Sequence, residues 1–293
     1  MVMNTEELLK KVRRIQIKTK RLVNEAIGGE YHSIFKGKGL EFSEVREYVP
    51  GDDIRAIDWN VTARMGFPFV KRFREERELT IMLLVDVSPS MDFGENGKNK
   101  RELMAEICAL IGFSALENND KVGLIAFSDK IERFIPPKKG SKQLLRIIRD
   151  LLEIETDGKT DIKEALEYFL RVQKKKSIAF LVSDFHARGF EKDLSLASMK
   201  HDLIPVKIYS PFEIEPPAGV FRVLPLEGDS PVIVDFSSKK VRSAFRENVR
   251  LREEYLFGLF RKYGLDYLDI KTEDDVYAAF RKFFNMRKRK LRR

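Results

Sequence analysis

The apolar positions of this chain follow two different periods, with an aperiodic stretch between them. Over residues 4–25, Leu8, Leu9, Val12, Ile15, Leu22 and Val23 recur at helical spacing among many Lys and Arg. Asn4 or Thr5, with Glu following, opens this helix and Gly28-Gly29 stops it. The spacing predicts an amphipathic helix packed against the body; its basic polar face also suits a membrane surface, the second reading. From residue 30 to 75 the period is lost, and Gly, Pro and charged residues dominate. A stretch this long is functional or packs as a small subdomain. Pro50-Gly51-Asp52-Asp53 is a turn signal within it. Asp52, Asp53, Arg55, Asp58 and Arg64 surround the only tryptophan, Trp59, and predict ion pairs locking the segment around an aromatic anchor.

From Leu79 the pattern becomes regular. Leu79-Thr80-Ile81-Met82-Leu83-Leu84-Val85 is a continuous apolar or β-prone run, the mark of a strand buried on both faces. A helix follows at about Lys98–Asn118, with Leu103, Ile107, Leu110, Ile111 and Ala115 on one face. Val122–Phe127 reads as a second buried strand, and Ile131–Ile135 as a short edge strand. Ser141 caps a helix carrying Leu144, Leu145, Ile148, Leu151 and Leu152; Gly158-Lys159-Thr160-Asp161 opens another with Ile162, Ala165, Leu166, Phe169 and Leu170 inside. Ser177–Val182 is a third buried strand, a helix spans about 190–199, and Leu203–Tyr209 is a fourth strand. This alternation predicts an α/β protein with a doubly wound, mostly parallel sheet.

After Pro211 the order loosens. Val220–Leu226 and Pro231–Phe236 predict a hairpin around Glu227-Gly228-Asp229, and Ser238 opens a long helix to about Tyr263. Leu265–Ile270 resembles a last strand, and Thr272 with Asp275 makes a capping box for a terminal helix. The predicted organisation is an N-terminal helix and irregular segment over 1–78, an α/β core over 79–211, and C-terminal hairpin, helices and basic tail over 212–293.

Composition narrows the class. The 293 residues are 43% hydrophobic and 34% charged, and no apolar run reaches the roughly 18 to 20 residues of a membrane span. The N-terminus is charged within ten residues and lacks an apolar signal core. Cys108, the single cysteine, excludes an internal disulfide. Both features predict a cytoplasmic protein. The net charge of +9 suggests nucleic acid until it is located. Arg281–Arg293 holds eight basic residues and no acid; removing those eight from the 55 leaves 47 against 46 acids. The basicity is a tail, able to touch an acidic partner or lipid but without any stacking or groove-reading motif for a specific nucleic acid.

Three oxygen-bearing points fall at the C-terminal ends of core elements: Asp86-x-Ser88-x-Ser90 after the first strand, Thr160 before a helix, and Asp184 after the third strand. In a parallel sheet these loops rise on one edge, where ligands bind. Taken singly, each reads as a turn or a helix cap. Together, two carboxylates and three hydroxyls suit a hard cation, Mg²⁺ or Mn²⁺. Neutral hydroxyls leave such an ion partly uncompensated, with a position open to an outside carboxylate. That chemistry recognises an acidic residue on a partner rather than cutting a bond.

D-V-S-P-S, then G-K-T-D before a helix, then S-D after a strand resembles the metal-ion-dependent adhesion site of von Willebrand factor A domains. The resemblance implies a vWA-like fold in which Ser88, Ser90 and Thr160 contact the metal directly or nearly so, while Asp86 and Asp184 act directly or through water. The upstream block G-K-G-L-E-F-S-E-V-R-E-Y-V-P-G-D-D-I-R-A-I-D-W-N-V-T-A-R, followed by F-V-K-R-F-R-E-E-R-E, resembles the signature of the domain-of-unknown-function 58 family. That family implies an adaptor or chaperone component working with a MoxR-type AAA+ ATPase, and with the chemistry above no enzymatic activity is expected. Two departures stand out. Many relatives begin with membrane-spanning segments, which this sequence lacks, and Phe185 follows Asp184 where many A domains have glycine.

The rival is an Mg²⁺-dependent hydrolase, a phosphatase of the haloacid dehalogenase type. Its chemistry needs Asp-x-Asp, the first as nucleophile and the second as general acid. Position 88 is Ser, which cannot serve as that acid. His32, His186 and His201 form no triad-like pattern with either serine.

Overall fold

The structure is a computed structural model that describes residues 5–23, 41–74, 78–95, 98–223 and 231–291. It divides into a larger unit, residues 1–34 and 80–293, and a smaller one, residues 35–79. The turn expected at Glu227-Gly228-Asp229 and His32 lie outside the described residues.

Six strands form the sheet of the larger unit: β3 (Thr80–Asp86), β6 (Lys121–Phe127), β7 (Ile131–Lys138), β8 (Ile178–Ser183), β9 (Asp202–Tyr209) and β12 (Leu268–Lys271). Their order is β12-β9-β8-β3-β6-β7, parallel throughout except for β7, which runs antiparallel to β6. The continuous apolar runs are the central strands: β3 is buried from Ile81 to Asp86 and β8 along its whole length. A strand covered on both faces cannot alternate with polar residues, hence the unbroken pattern in the sequence.

Helices cover both faces. On one, α5 (Ile162–Val172), α6 (Glu191–Lys200) and α7 (Lys239–Lys262) contribute Leu166, Phe169, Leu194, Leu259 and Phe260 to a core with Met82, Leu84, Ile125 and Leu181. On the other, α3 (Lys100–Glu117) lies on the sheet beside α4 (Ser141–Glu153) and α8 (Val276–Leu291), which also touch strands, and α1 (Thr5–Leu22) packs over α3 and α4. The sequence predicted one apolar face for α3. Burial instead runs around the helix, through Met104, Ala105, Cys108, Ala109 and Phe113 as well, because α4 and α8 flank it and α1 covers it from outside. Cys108 is fully buried, and burial pushes its thiol far up, so it is inert. α1 packs on the body through Leu8 and Val12 and leaves Leu9 and Ile17 exposed. No described helix is long and apolar enough to cross a membrane.

The C-terminal segment refines two expectations. The cap of α8 is Asp275, whose carboxylate accepts from the Tyr277 and Ala278 N–H groups at 3.0 and 3.4 Å. Thr272 is buried instead, its N–H donating to the Tyr209 carbonyl beside β12. The basic tail is not simply solvated. Arg287 donates to both oxygens of Asp202 at 2.9 and 3.0 Å, and Asp266 pairs with Arg287 and Lys290. The hairpin predicted after Pro211 is present as β10 (Val220–Val223) and β11 (Val232–Asp235). Gly94–Glu95 (β4) and Lys98–Asn99 (β5) make a further two-residue pair.

In the smaller unit β1 (Glu41–Glu47) pairs antiparallel with β2 (Phe69–Arg74), and a short helix, α2 (Trp59–Met65), lies between them. Its acids act mostly as caps. Asp53 accepts from the Arg55 N–H, Asp58 accepts from the Asn60 and Val61 N–H groups, and Asp52 pairs with Arg46 at 2.6 Å. Gly66, at φ +81°, ends α2 in the left-handed conformation. Trp59 is 66% exposed, so the segment is held by caps and strand pairing rather than by an aromatic anchor.

Candidate functional site

β3 and β8 are neighbours whose connections leave toward opposite sides of the sheet, so a crevice opens beyond their C-terminal ends. Asp86 closes β3, and Asp184 follows β8. Asp86 is fully buried, with both oxygens occupied: the Ser88 N–H donates to Oδ1 at 3.0 Å and the Ser183 hydroxyl to Oδ2 at 2.6 Å. Ser88 leads into a single 3₁₀ turn, Pro89–Asp92, which keeps Ser90 on the same side. The Ser88 Oγ lies 3.1 Å from Ser90 Oγ and 2.8 Å from Thr160 Oγ1. Thr160 is brought there because the next residue, Asp161, ties its N–H to the Ser128 carbonyl at the end of β6 (2.7 Å) and caps α5 through the Glu164 N–H. All five residues that the sequence singled out therefore meet on one sheet edge. Ser88 is buried while Ser90 and Thr160 are half-buried, so the hydroxyls form the outer side of the cluster and the carboxylates the inner.

Two side chains absent from the sequence reading complete the geometry. Lys100, the first residue of α3, is fully buried and places Nζ 2.8 Å from Asp184 Oδ2 and 2.7 Å from Glu213 Oε1. Glu213 is itself fixed by the Ser210 N–H, 2.7 Å from Oε2. Beside it, Arg101 fastens the loop from below, donating to Asp92, to the Val87 carbonyl (3.3 Å) and to the Leu151 and Ile154 carbonyls at the end of α4 (3.4 and 2.5 Å). Asp184, His186 and Glu213 each bring a ligand atom within 4.8 Å of the others. That trio has the look of a metal centre, but the Lys100 ammonium already bridges its two carboxylates.

Residues 44–255 match the model of a family described as protein of unknown function DUF58. This chain is a DUF58 protein. The DUF58 chain is 26% identical over 283 residues to the uncharacterized protein Rv1480 of Mycobacterium tuberculosis, covering 95% of this chain and 89% of the relative. It is 28% identical over 116 residues to the uncharacterized protein YeaD of Bacillus subtilis, there covering 40% of this chain and 27% of the relative. Among solved structures, an aerotolerance-related membrane protein from Bacteroides fragilis is similar at TM-score 0.45 and 13% identity, over 72% of this chain and 99% of that one. BatB from Bacteroides thetaiotaomicron is similar at TM-score 0.43 and 14% identity, with the same coverage.

The electrostatics of the DUF58 site separate its two aspartates. Burial pushes the Asp86 carboxyl up to about 6, and the charge of Asp184 adds to this; the hydrogen bonds from Ser183 and Ser88 offset only part. Burial also pushes Asp184 up, but protonated His186, the Lys100 ammonium and the hydrogen bonds from Lys100 and Ser90 outweigh it, and Asp184 lies well below the usual carboxylate range. Burial lowers His186, so near neutrality the positive charge holding Asp184 down is that of Lys100.

The departure at Phe185 has a local cause. Phe185 stands at φ +56°, the left-handed conformation in which glycine is free and a side chain costs roughly 1–2 kcal/mol. Its ring is buried against Phe190 and Phe260, which offsets that cost. The turn aims the Phe185 N–H at Ser183 Oγ and the His186 N–H at Asp184 Oδ1, so both groups behind the site are positioned by it. Lys100 had one legible signal in the sequence: a lysine opening a helix opposes the helix dipole, so its partner had to lie elsewhere.

Proposed function

We propose that this DUF58 protein is a metal-dependent protein-interaction module of the vWA type. Mg²⁺ or Mn²⁺ is held by Ser88, Ser90 and Thr160, with Asp86 and Asp184 behind, and one position is offered to a carboxylate of the partner. The observation that carries this reading is the mutual contact of three hydroxyls, at 2.8 and 3.1 Å, in front of two buried carboxylates on one sheet edge. Such a donor set is all oxygen, as a hard divalent cation requires, and carries too little charge to neutralise it fully. The partner is a MoxR-type AAA+ ATPase, the class the sequence resemblance implies, and the protein acts as its adaptor in the cytoplasm. Hydrolase chemistry is disfavoured because a nucleophilic aspartate must reach its substrate, whereas Asp86 is fully buried with both oxygens bonded.

Isothermal titration tests the site. Mn²⁺ binding is expected in the native protein and its loss in Asp86→Ala; binding that a folded Asp86→Ala variant retains unchanged overturns the reading. Pull-down of a MoxR-type ATPase with and without EDTA tests the partner, an EDTA-insensitive interaction leaving the metal without a role.

A further inference from the structure

We infer that Lys100 is a built-in cation that keeps Asp184 off the metal and holds the site's affinity for divalent ions low until a partner's carboxylate joins it. This rests on the metal-site reading above and concerns its regulation.

Lys100 is costly where it stands. Its side chain is fully buried, and it begins α3, where the helix dipole repels a positive charge. Nothing in the stability of α3 accounts for it, since Asn99 already caps the helix through the Glu102 N–H at 2.8 Å. Its two acids, however, are placed with care. Glu213 is fixed by a backbone N–H from Ser210, and Asp184 is turned toward the lysine by the left-handed Phe185, whose following N–H occupies Oδ1. Both oxygens of Asp184 are thus committed: Oδ1 to the His186 N–H at 3.1 Å and Oδ2 to the ammonium at 2.8 Å. For Asp184 to ligate an ion, it must first give up the lysine.

The charge balance points the same way. Asp86, Asp184 and Glu213 are acids around the site, and Lys100 removes one negative charge next to the metal ligands, with Arg252 on α7 close enough for its charge to be felt by Asp184 and Glu213. A fixed positive charge opposes a divalent cation twice as strongly as a monovalent one. The ion held by three neutral hydroxyls therefore lacks negative charge, and an acidic residue arriving from a partner supplies it. Metal and partner then bind cooperatively, each tightening the other.

The test measures Mn²⁺ affinity by isothermal titration in the native protein, Lys100→Met, Lys100→Met with Glu213→Gln, and Glu213→Gln, each shown to be folded by circular dichroism. Lys100→Met is expected to bind Mn²⁺ about tenfold or more tightly. The double variant keeps the local net charge while freeing Asp184, and it too is expected to bind more tightly. Glu213→Gln keeps the lysine but removes one of its acids, and is expected to bind more weakly by a few-fold; this arm decides the matter where the lysine variants do not fold. Equal or weaker binding in a folded lysine variant, or unchanged or tighter binding in Glu213→Gln, overturns the inference. If the native protein binds Mn²⁺ through Asp86 and Lys100→Met gains nothing, only the role of Lys100 falls; if neither protein binds, the metal-site reading falls with it.

Discussion

Single side chains around β3 carry loads that their types do not advertise. Arg101 is nearly buried and bridges the Val87 carbonyl, Asp92 and the end of α4. Arg101→Met leaves buried carbonyls unpaired and is expected to lower unfolding free energy by about 3 kcal/mol in urea titration. His201 is buried against Phe169, its Nδ1 meeting Ser177 at 3.0 Å while Nε2 has no hydrogen-bond partner among the described residues. Burial first, then Lys200 and Lys176, lower its pKa from 6.5 to about 4. Because the folded state holds the ring neutral, its contribution is present above pH 6.5 and is lost as pH falls toward 4. The expected loss across that window is of the order of 2–3 kcal/mol, and His201→Gln should blunt it in stability measured from pH 7 to pH 4. Asp86, Ser88, Ser90 and Asp184 were legible because small oxygen-bearing residues sit at abrupt ends of apolar runs, and Thr160 because it stands in a Gly-initiated turn ahead of a helix. Glu213 was not, and Lys100 only as a lysine out of place at a helix start, since their meaning lies in a contact across 113 positions of sequence.

At the level of elements, burial on both faces made β3, β6 and β8 readable, and Asp161 and Ser238 marked their helices to within a residue or two, whereas Ser141 is the first residue of α4, after Gly140, and caps nothing. What escaped was anything decided by a second layer. The all-round burial of α3 depends on α1 and α8, from the two ends of the chain, and on α4, which follows only after β6 and β7. Gly112 shows how closely neighbouring helices approach: a Cβ there would meet Leu144 Cδ1 at 2.3 Å. Gly112→Ala gains helix propensity but overpacks the α3–α4 contact, and a net loss of about 1–3 kcal/mol is expected by thermal unfolding. The cap of α8 was misread because Thr272 and Asp275 both fit a capping pattern, and only the buried pairing of Thr272 with β9 separates them. Asp275→Ala is expected to cost about 1 kcal/mol in the same assay.

For the whole molecule, the net charge of +9 sits largely on α8 and beyond, and part of it is spent internally on Asp202 and Asp266. The tail looked detached in the sequence because its acids lie 85 and 24 residues earlier. The sheet also has two ends, and both resist extension. β7 carries Pro136 and Pro137 where it shifts register against β6, so its outer side lacks donors there, and β12 at the other end is only four residues long. A neighbouring molecule that tried to add a strand would find no continuous ladder at either. The protein can therefore crowd against copies of itself without fusing edge to edge. Pro136→Val with Pro137→Thr should remove that protection, seen as faster growth of light scattering and thioflavin fluorescence on mild heating.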